Sequence, residues 1–194
     1  MANAKSRRAE QALVEALHVL LQHKQLSDIS VSELAHKANV SRSTFYVHFD
    51  NVADVFDKAV REGDPQTTTI GEGLGIVRCA DEDKTPFCES LRCRGKRTAM
   101  MHDPHYLNAL FSNNDLTGKQ LYIDHLERAG LSAYVAEAIY RFQLSGCYAA
   151  ATAHDYTDEE WTNCRAALDT FIRAGMEALG VHFEGGDTAP SSNK

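Results

Sequence analysis

The chain has 194 residues, 43% of them apolar and 24% charged, with a formal net charge of −7 at pH 7. That is enough apolar material for one large domain or two small ones, and it excludes a disordered or fibrous chain. No apolar run approaches the ~20 residues of a membrane-spanning helix, and MANAKSRRAEQ lacks the apolar stretch of a secretory signal.

Five cysteines, an odd count at irregular spacing, do not read as a disulfide framework, so a reducing cytoplasm is the expected location. The charge is unevenly spread. Residues 1–61 hold 8 Lys and Arg against 7 Asp and Glu, whereas residues 62–194 hold 12 against 20. A polyanion would therefore dock at the N-terminal end only.

In chain order the pattern is helical almost throughout. Ala9, Ala12, Leu13, Ala16, Leu17, Leu20 and Leu21 recur at helical spacing and predict an amphipathic helix of about five turns, ending near His23–Lys24. Ser27-Asp28 supplies a turn. Ser30 and Glu33 form a capping box that opens a short helix at Val31, with Leu34, Ala35 and Ala38 turned inward. Asn39-Val40 ends it, because Asn tolerates the left-handed conformation of a tight turn. Ser41 caps a third helix from Arg42 to about Phe49, and Asn51 caps a fourth that buries Val52, Val55, Phe56 and Ala59.

Residues 63–84, rich in Gly and Thr, read as a linker or irregular loop. Thr85-Pro86 and Asp103-Pro104 each signal a helix start. A helix over about Leu116–Ala129 stops at Gly130. Ser132 caps a long one to about His154, and Thr157 with Glu160 boxes the start of the last, which closes at Gly180. The tail, residues 182–194, reads as disordered. The expected fold is all-α. A three-helix helix-turn-helix domain within residues 1–62 precedes a helical domain over residues 85–181.

The stretch SVSELAHKANVSRSTFYVHF carries the functional signal. Two short helices around a tight turn make a helix-turn-helix, whose second helix enters the major groove. Its leading face is Ser41, Arg42, Ser43 and Thr44: a guanidinium able to bridge guanine O6 and N7, with hydroxyls that suit several base edges. Phe45 and Phe49 point inward. Tyr46 and His48 stand on the outer side, where they would bond phosphates. Ser30 and Asn51, at the starts of the flanking helices, complete the candidate DNA contacts, and Arg7 and Arg8 are candidates from the N-terminal arm.

With the long helix before it and NVADVF after it, this stretch resembles the N-terminal domain of TetR/AcrR-family transcriptional regulators over residues 7–61. Ser30-Val31, Leu34-Ala35, Ala38-Asn39-Val40-Ser41, Tyr46 and His48-Phe49 occupy the family's motif positions. Asn39 stands where glycine is usual. Val52 stands where the family usually has a phosphate-binding lysine, a loss that the amides at that helix start, with Asn51, would partly replace. The resemblance implies a homodimer that binds a palindromic operator on double-stranded DNA, most simply a repressor released by a small-molecule effector.

The C-terminal part is read from its residues. Gly146, Ala149, Ala150 and Ala153 share one side of the long helix, and Ala166, Ala167, Phe171, Ala174 and Ala178 form a similar stripe on the last. Such faces allow close helix packing, within one subunit or between two. The resemblance favours the second, with Gly146, Ala149, Ala150, Ala167, Phe171 and Ala174 as dimer residues. The resemblance also implies an effector-binding and dimerisation domain whose helices enclose a ligand cavity, with Tyr106, Phe111, Tyr122, His125, Phe142 and Gln143 as candidate effector contacts, since such pockets are apolar with a few polar groups.

Cys79, Cys88 and Cys93, with His102 and His105 nearby, raise an alternative of metal or redox sensing. Their spacing is not that of a zinc pair, and no metal or cofactor is expected. The basic residues Arg92, Arg94, Lys96 and Arg97 would lower the pKa of a thiol beside them. A helical adaptor without DNA binding is the remaining alternative. No catalytic motif is present: the glycines at 71, 73 and 75 lack a strand–helix setting and a following lysine, so the chain is not read as an enzyme.

Overall fold

The structure, a computed structural model, describes residues 2–62, 86–92, 98–112, 118–153 and 155–182, with side chains from Ser6 onward. The expected linker, Cys79, Cys93, Arg94, Lys96, Arg97 and nearly all of the C-terminal tail lie outside the described residues. Among the described residues there are ten α-helices and one short 3-10 turn, with no strand.

The helices are α1 (Ala2–Leu21), α2 (Val31–Lys37), α3 (Arg42–His48), α4 (Val52–Glu62), α5 (Phe87–Ser90), α6 (Thr98–Met101), α7 (Tyr106–Ser112), α8 (Lys119–Arg128), α9 (Ala133–Thr152) and α10 (Asp158–Ala178). The 3-10 turn η1 spans Leu26–Asp28. They sort into two compact units. One contains α1 to α4 together with α6 and α7, and the other contains α5, α8, α9 and α10.

In the first unit, α1 packs against α2, α3 and α4. Its apolar stripe supplies Leu13, Val14, Ala16, Leu17 and Leu21 to a core shared with Leu34, Ala35, Phe45, Val55, Phe56 and Ala59. This unit also takes in residues 91–113, because α6 lies on α1 and α7 on α4. Met100, Met101, Tyr106, Ala109 and Leu110 are buried in doing so. An apolar face of that size cannot stay in water, so residues 98–112 join the N-terminal unit although 35 residues separate them from α4.

The second unit is built on α9. Helix α8 packs along it, burying Tyr122, Ile123 and Leu126 against Ala136, Tyr140 and Leu144. The Tyr122 and Tyr140 rings meet edge-on at 5.6 Å between centroids. Helix α5 also rests on α9. It is tied to α10 through Glu89, whose Oε1 accepts the Trp161 indole N–H (2.9 Å) and an Arg165 N–H (2.6 Å).

Local signals account for most helix ends. Thr157 and Glu160 form the complete capping box at α10. Gly130 and Gly180 take positive φ after α8 and α10, returning the Leu131 and Val181 amides to Leu126 and Met176. Ser132 stands at the start of α9 but makes no side-chain cap; its carbonyl accepts the Ala136 amide. Asp103 does not cap a helix starting at Pro104, since α7 begins only at Tyr106. No described helix is long and apolar enough to cross a membrane.

Candidate nucleic-acid interface

The turn between α2 and α3 is made by two serine caps and one left-handed residue. The Ser30 hydroxyl accepts the Glu33 amide at 3.2 Å, and the Ser41 hydroxyl accepts the Thr44 amide at 3.0 Å. Each such cap contributes ~1 kcal/mol. Between them Asn39 has φ 53°, and the Asn39 and Val40 amides return to His36 and Ala35. Glycine would take this conformation freely; Asn is among the few side chains that tolerate it.

The Ser30–Glu33 capping box is half formed. The Glu33 carboxylate does not turn back to the cap but accepts Lys24 Nζ at 2.7 Å. A lysine nine residues upstream is a stronger partner for a carboxylate than a backbone amide.

Helix α3 is held from beneath by two rings. Phe45 is fully buried and Phe49 nearly so, 6.0 Å apart between centroids, and Tyr46 meets Phe45 edge-on at 5.4 Å. With that face fixed, Arg42, Ser43, Tyr46 and Val47 are exposed, Tyr46 by 51% and Val47 by 77%. The Ser41 hydroxyl lies 2.8 Å from both Ser43 Oγ and Thr44 Oγ1, so three hydroxyls cluster at the start of the helix. The face thus offers a guanidinium, hydroxyls, a phenol and an apolar Val47 side by side. These are the groups that read guanine, mixed base edges, phosphate and a thymine methyl.

His48 corrects the expectation that it stands on the outer side. Its side chain is only 10% exposed, with Nδ1 3.3 Å from Glu10 Oε1 and 3.4 Å from Ser6 Oγ. The other oxygen of Glu10 takes Lys58 Nζ at 3.2 Å. One carboxylate on α1 therefore ties the end of α3 to α4. Nothing local in the sequence marks Glu10 as different from its neighbours on α1.

Asn51 caps α4 as expected, its Oδ1 accepting the Asp54 amide at 3.1 Å. In return Asp54 Oδ2 accepts the Asp50 and Asn51 amides. Those amides are therefore already occupied by a carboxylate, and the expected dipole substitute for the missing lysine is blunted. Val52 itself is 8% exposed, part of the core.

Residues 13–59 match the family model described as bacterial regulatory proteins, tetR family. The N-terminal unit carries a TetR-family DNA-binding domain. The match spans the helix-turn-helix and most of α4, so the exposed α3 face belongs to a DNA-binding transcriptional regulator. No curated protein matches the chain. The TetR-type assignment stops short of α6 and α7, although these pack on the same unit.

The candidate effector residues separate. Tyr106 and Phe111 belong to the unit of the TetR-type domain, whereas Tyr122, His125, Phe142 and Gln143 belong to the second. There the buried Tyr122 hydroxyl donates to Gln143 Oε1, and burial holds the phenol protonated well above its usual range. His125 Nε2 lies 2.9 Å from the His182 carbonyl. Gln143 is buried with Nε2 lacking a partner among the described residues. It lines a cavity of about 650 Å³ between α9 and α10, together with Phe142, Gly146, Cys147, Phe171 and Met176. Two residue sets kept apart in the sequence reading, effector and dimer, thus meet at one groove.

Gly146, Ala149, Ala167, Phe171 and Ala174 are exposed and Ala150 half-buried, so the described residues leave most of both stripes uncovered. A Cβ added at Gly146 would meet nothing within 4 Å. At Cys88, the described member of the suspected thiol set, burial pushes the thiol pKa up, outweighing the nearby Arg165 guanidinium. His105 Nδ1 is engaged by Asp103, and His102 Nε2 lies 3.3 Å from the Leu91 carbonyl. Among the described residues no group of three or more His, Cys, Asp or Glu could hold a metal ion.

Proposed function

We propose that the protein is a homodimeric repressor that reads a palindromic operator with α3 and is released by a small, largely apolar effector. The observation carrying this is the α3 face, with Arg42, Ser43, Tyr46 and Val47 exposed over the buried pair Phe45 and Phe49. Arg42 reads a base edge and Tyr46 bonds a phosphate. His48, turned to Glu10, sets the helix rather than leading the contact.

Dimerisation is supported by the open stripe on α9 and α10. Phe142 and Phe171 stand 70% and 69% exposed there, an apolar surface of the kind that marks an interface. Two reading helices about 34 Å apart then face one side of B-DNA. The groove beneath offers the effector apolar walls and one unpaired amide at Gln143, which suits an uncharged molecule bearing a single hydrogen-bond acceptor. Such a ligand releases DNA only by binding a second conformer better than the operator-bound one.

The test is a reporter gene placed behind the operator selected with the chain from a random pool of duplexes. Expression falls when the chain is supplied and recovers when the α3 face is altered by Arg42→Ala. Unchanged expression with the chain bound to its operator would refute repression, and increased expression would make it an activator.

A further inference from the structure

The DNA-reading unit depends on a group far from it in sequence. Asp103, between α6 and α7, has a side chain only 2% exposed, yet no lysine or arginine among the described residues pairs with it. Its Oδ2 accepts the backbone amide of Leu26 at 2.8 Å in a buried bond, across 77 residues of sequence. Its Oδ1 accepts the His105 amide at 2.9 Å and lies 3.0 Å from His105 Nδ1. The backbone is fixed as well, with the Asp103 amide on the Met100 carbonyl and the Asp103 carbonyl receiving the Tyr106 amide.

Both oxygens and both backbone groups of Asp103 are thus engaged, Oδ1 and the backbone within residues 100–106 and Oδ2 by Leu26. Leu26 is the first residue of η1, and Ile29, directly after η1, is buried with it. The next residue is Ser30, the cap of α2. The angle at which the chain enters the helix-turn-helix is therefore set at the Leu26 amide. That amide has no acceptor within its own turn, because the first N–H groups of a helix are unpaired unless something outside supplies one.

We infer that Asp103 is a positioning residue for DNA recognition: through the Leu26 amide it fixes η1 and the start of α2, so residues 98–112 belong to the working DNA-binding unit. This rests on the DNA-binding reading of α3. It extends the reading unit beyond residues 13–59, the span that the family model covers.

The experiment uses the full chain and its variants Asp103→Ala and Asp103→Asn. Amide hydrogen exchange is measured at Leu26, alongside affinity for the selected operator and for a random duplex at low salt. Asp103→Ala is expected to abolish protection at Leu26 while the amides of α1 stay protected. It should weaken operator binding on the order of tenfold or more, as loss of a buried acceptor for a backbone donor implies, with a smaller loss on random DNA. Asparagine keeps one carbonyl oxygen and should fall between wild type and alanine, which preserves the test if Asp103→Ala does not fold.

Unchanged protection at Leu26, or operator affinity within twofold of wild type in both variants, overturns the inference. Equal losses on operator and random DNA would make Asp103 merely structural and overturn it too. If the wild-type chain recognises no duplex, the DNA-binding reading fails on its own, and the Leu26 exchange still decides whether Asp103 fixes η1.

Discussion

Replacing Val52 by lysine sets two effects of opposite sign against each other. Val52 opens α4 and is 8% exposed, against a core that includes Val55 and Phe56. Burying a valine side chain is worth about 1.5–3 kcal/mol. A lysine stem can keep part of that contact while its ammonium reaches water, so Val52→Lys should cost roughly 1 kcal/mol of stability. Against this, a lysine at the start of α4 adds one phosphate contact per subunit. Each contact steepens the dependence of log K on log[salt] by ~0.9. Between 50 and 200 mM salt that is about 3.5-fold per subunit, and about 12-fold for two subunits on one operator. Asp54, with its carboxylate on the Asp50 and Asn51 amides, draws the ammonium back and makes these upper values. The assay is operator affinity across a salt series, with thermal unfolding followed in parallel. A lowered unfolding midpoint with no change in slope would refute the reasoning, since α4 would then not begin beside the phosphates.

Three other outcomes are expected. Arg42→Ala should cost about 1–3 kcal/mol on the operator and relax preference at one base pair, whereas Tyr46→Phe should weaken operator and random DNA alike; competition binding on single-base operator variants separates them. Phe171→Glu, at a side chain 69% exposed, should leave the fold intact and yield monomers by sedimentation velocity with operator affinity lost; unchanged sedimentation would remove α9 and α10 from the interface. Burial first, then the nearby Cys88, pushes the Cys147 thiol from 9.0 up to about 12. A raised acid pKa means that the folded state keeps a proton the unfolded state loses, so this stability is present below pH 9 and lost as pH climbs toward 12. About 1.4 kcal/mol should go between pH 8 and pH 10, and Cys147→Ala should flatten that alkaline limb in urea unfolding.

What was legible in the sequence was local. Ser30, Ser41, Asn51 and Thr157 each act within four residues of themselves, and Asn39 carries its own tolerance of positive φ. The inward pair Phe45 and Phe49 follows from helical spacing alone, and it fixes by difference which side chains of α3 face out. What was not legible depended on partners distant in the chain. Glu33 would have completed its box had Lys24 not been in reach. His48 lies at the edge of the outward face, and Glu10 on α1 decided which way it turned. Asp103 precedes a proline, a strong local start signal, yet its carboxylate serves a backbone amide 77 residues away. The small-residue stripes of α9 and α10 announce close packing without saying against what; their exposure in the folded subunit supports the dimer proposed above but could not be read from spacing.

The central claim is that the α3 face reads DNA sequence, and selection of bound duplexes from a random pool at two salt concentrations tests it most directly. A palindrome with half-sites about one helical turn apart is expected at both salts, with Arg42→Ala losing preference at one position of each half. Binding that is blind to sequence and vanishes at the higher salt would contradict it.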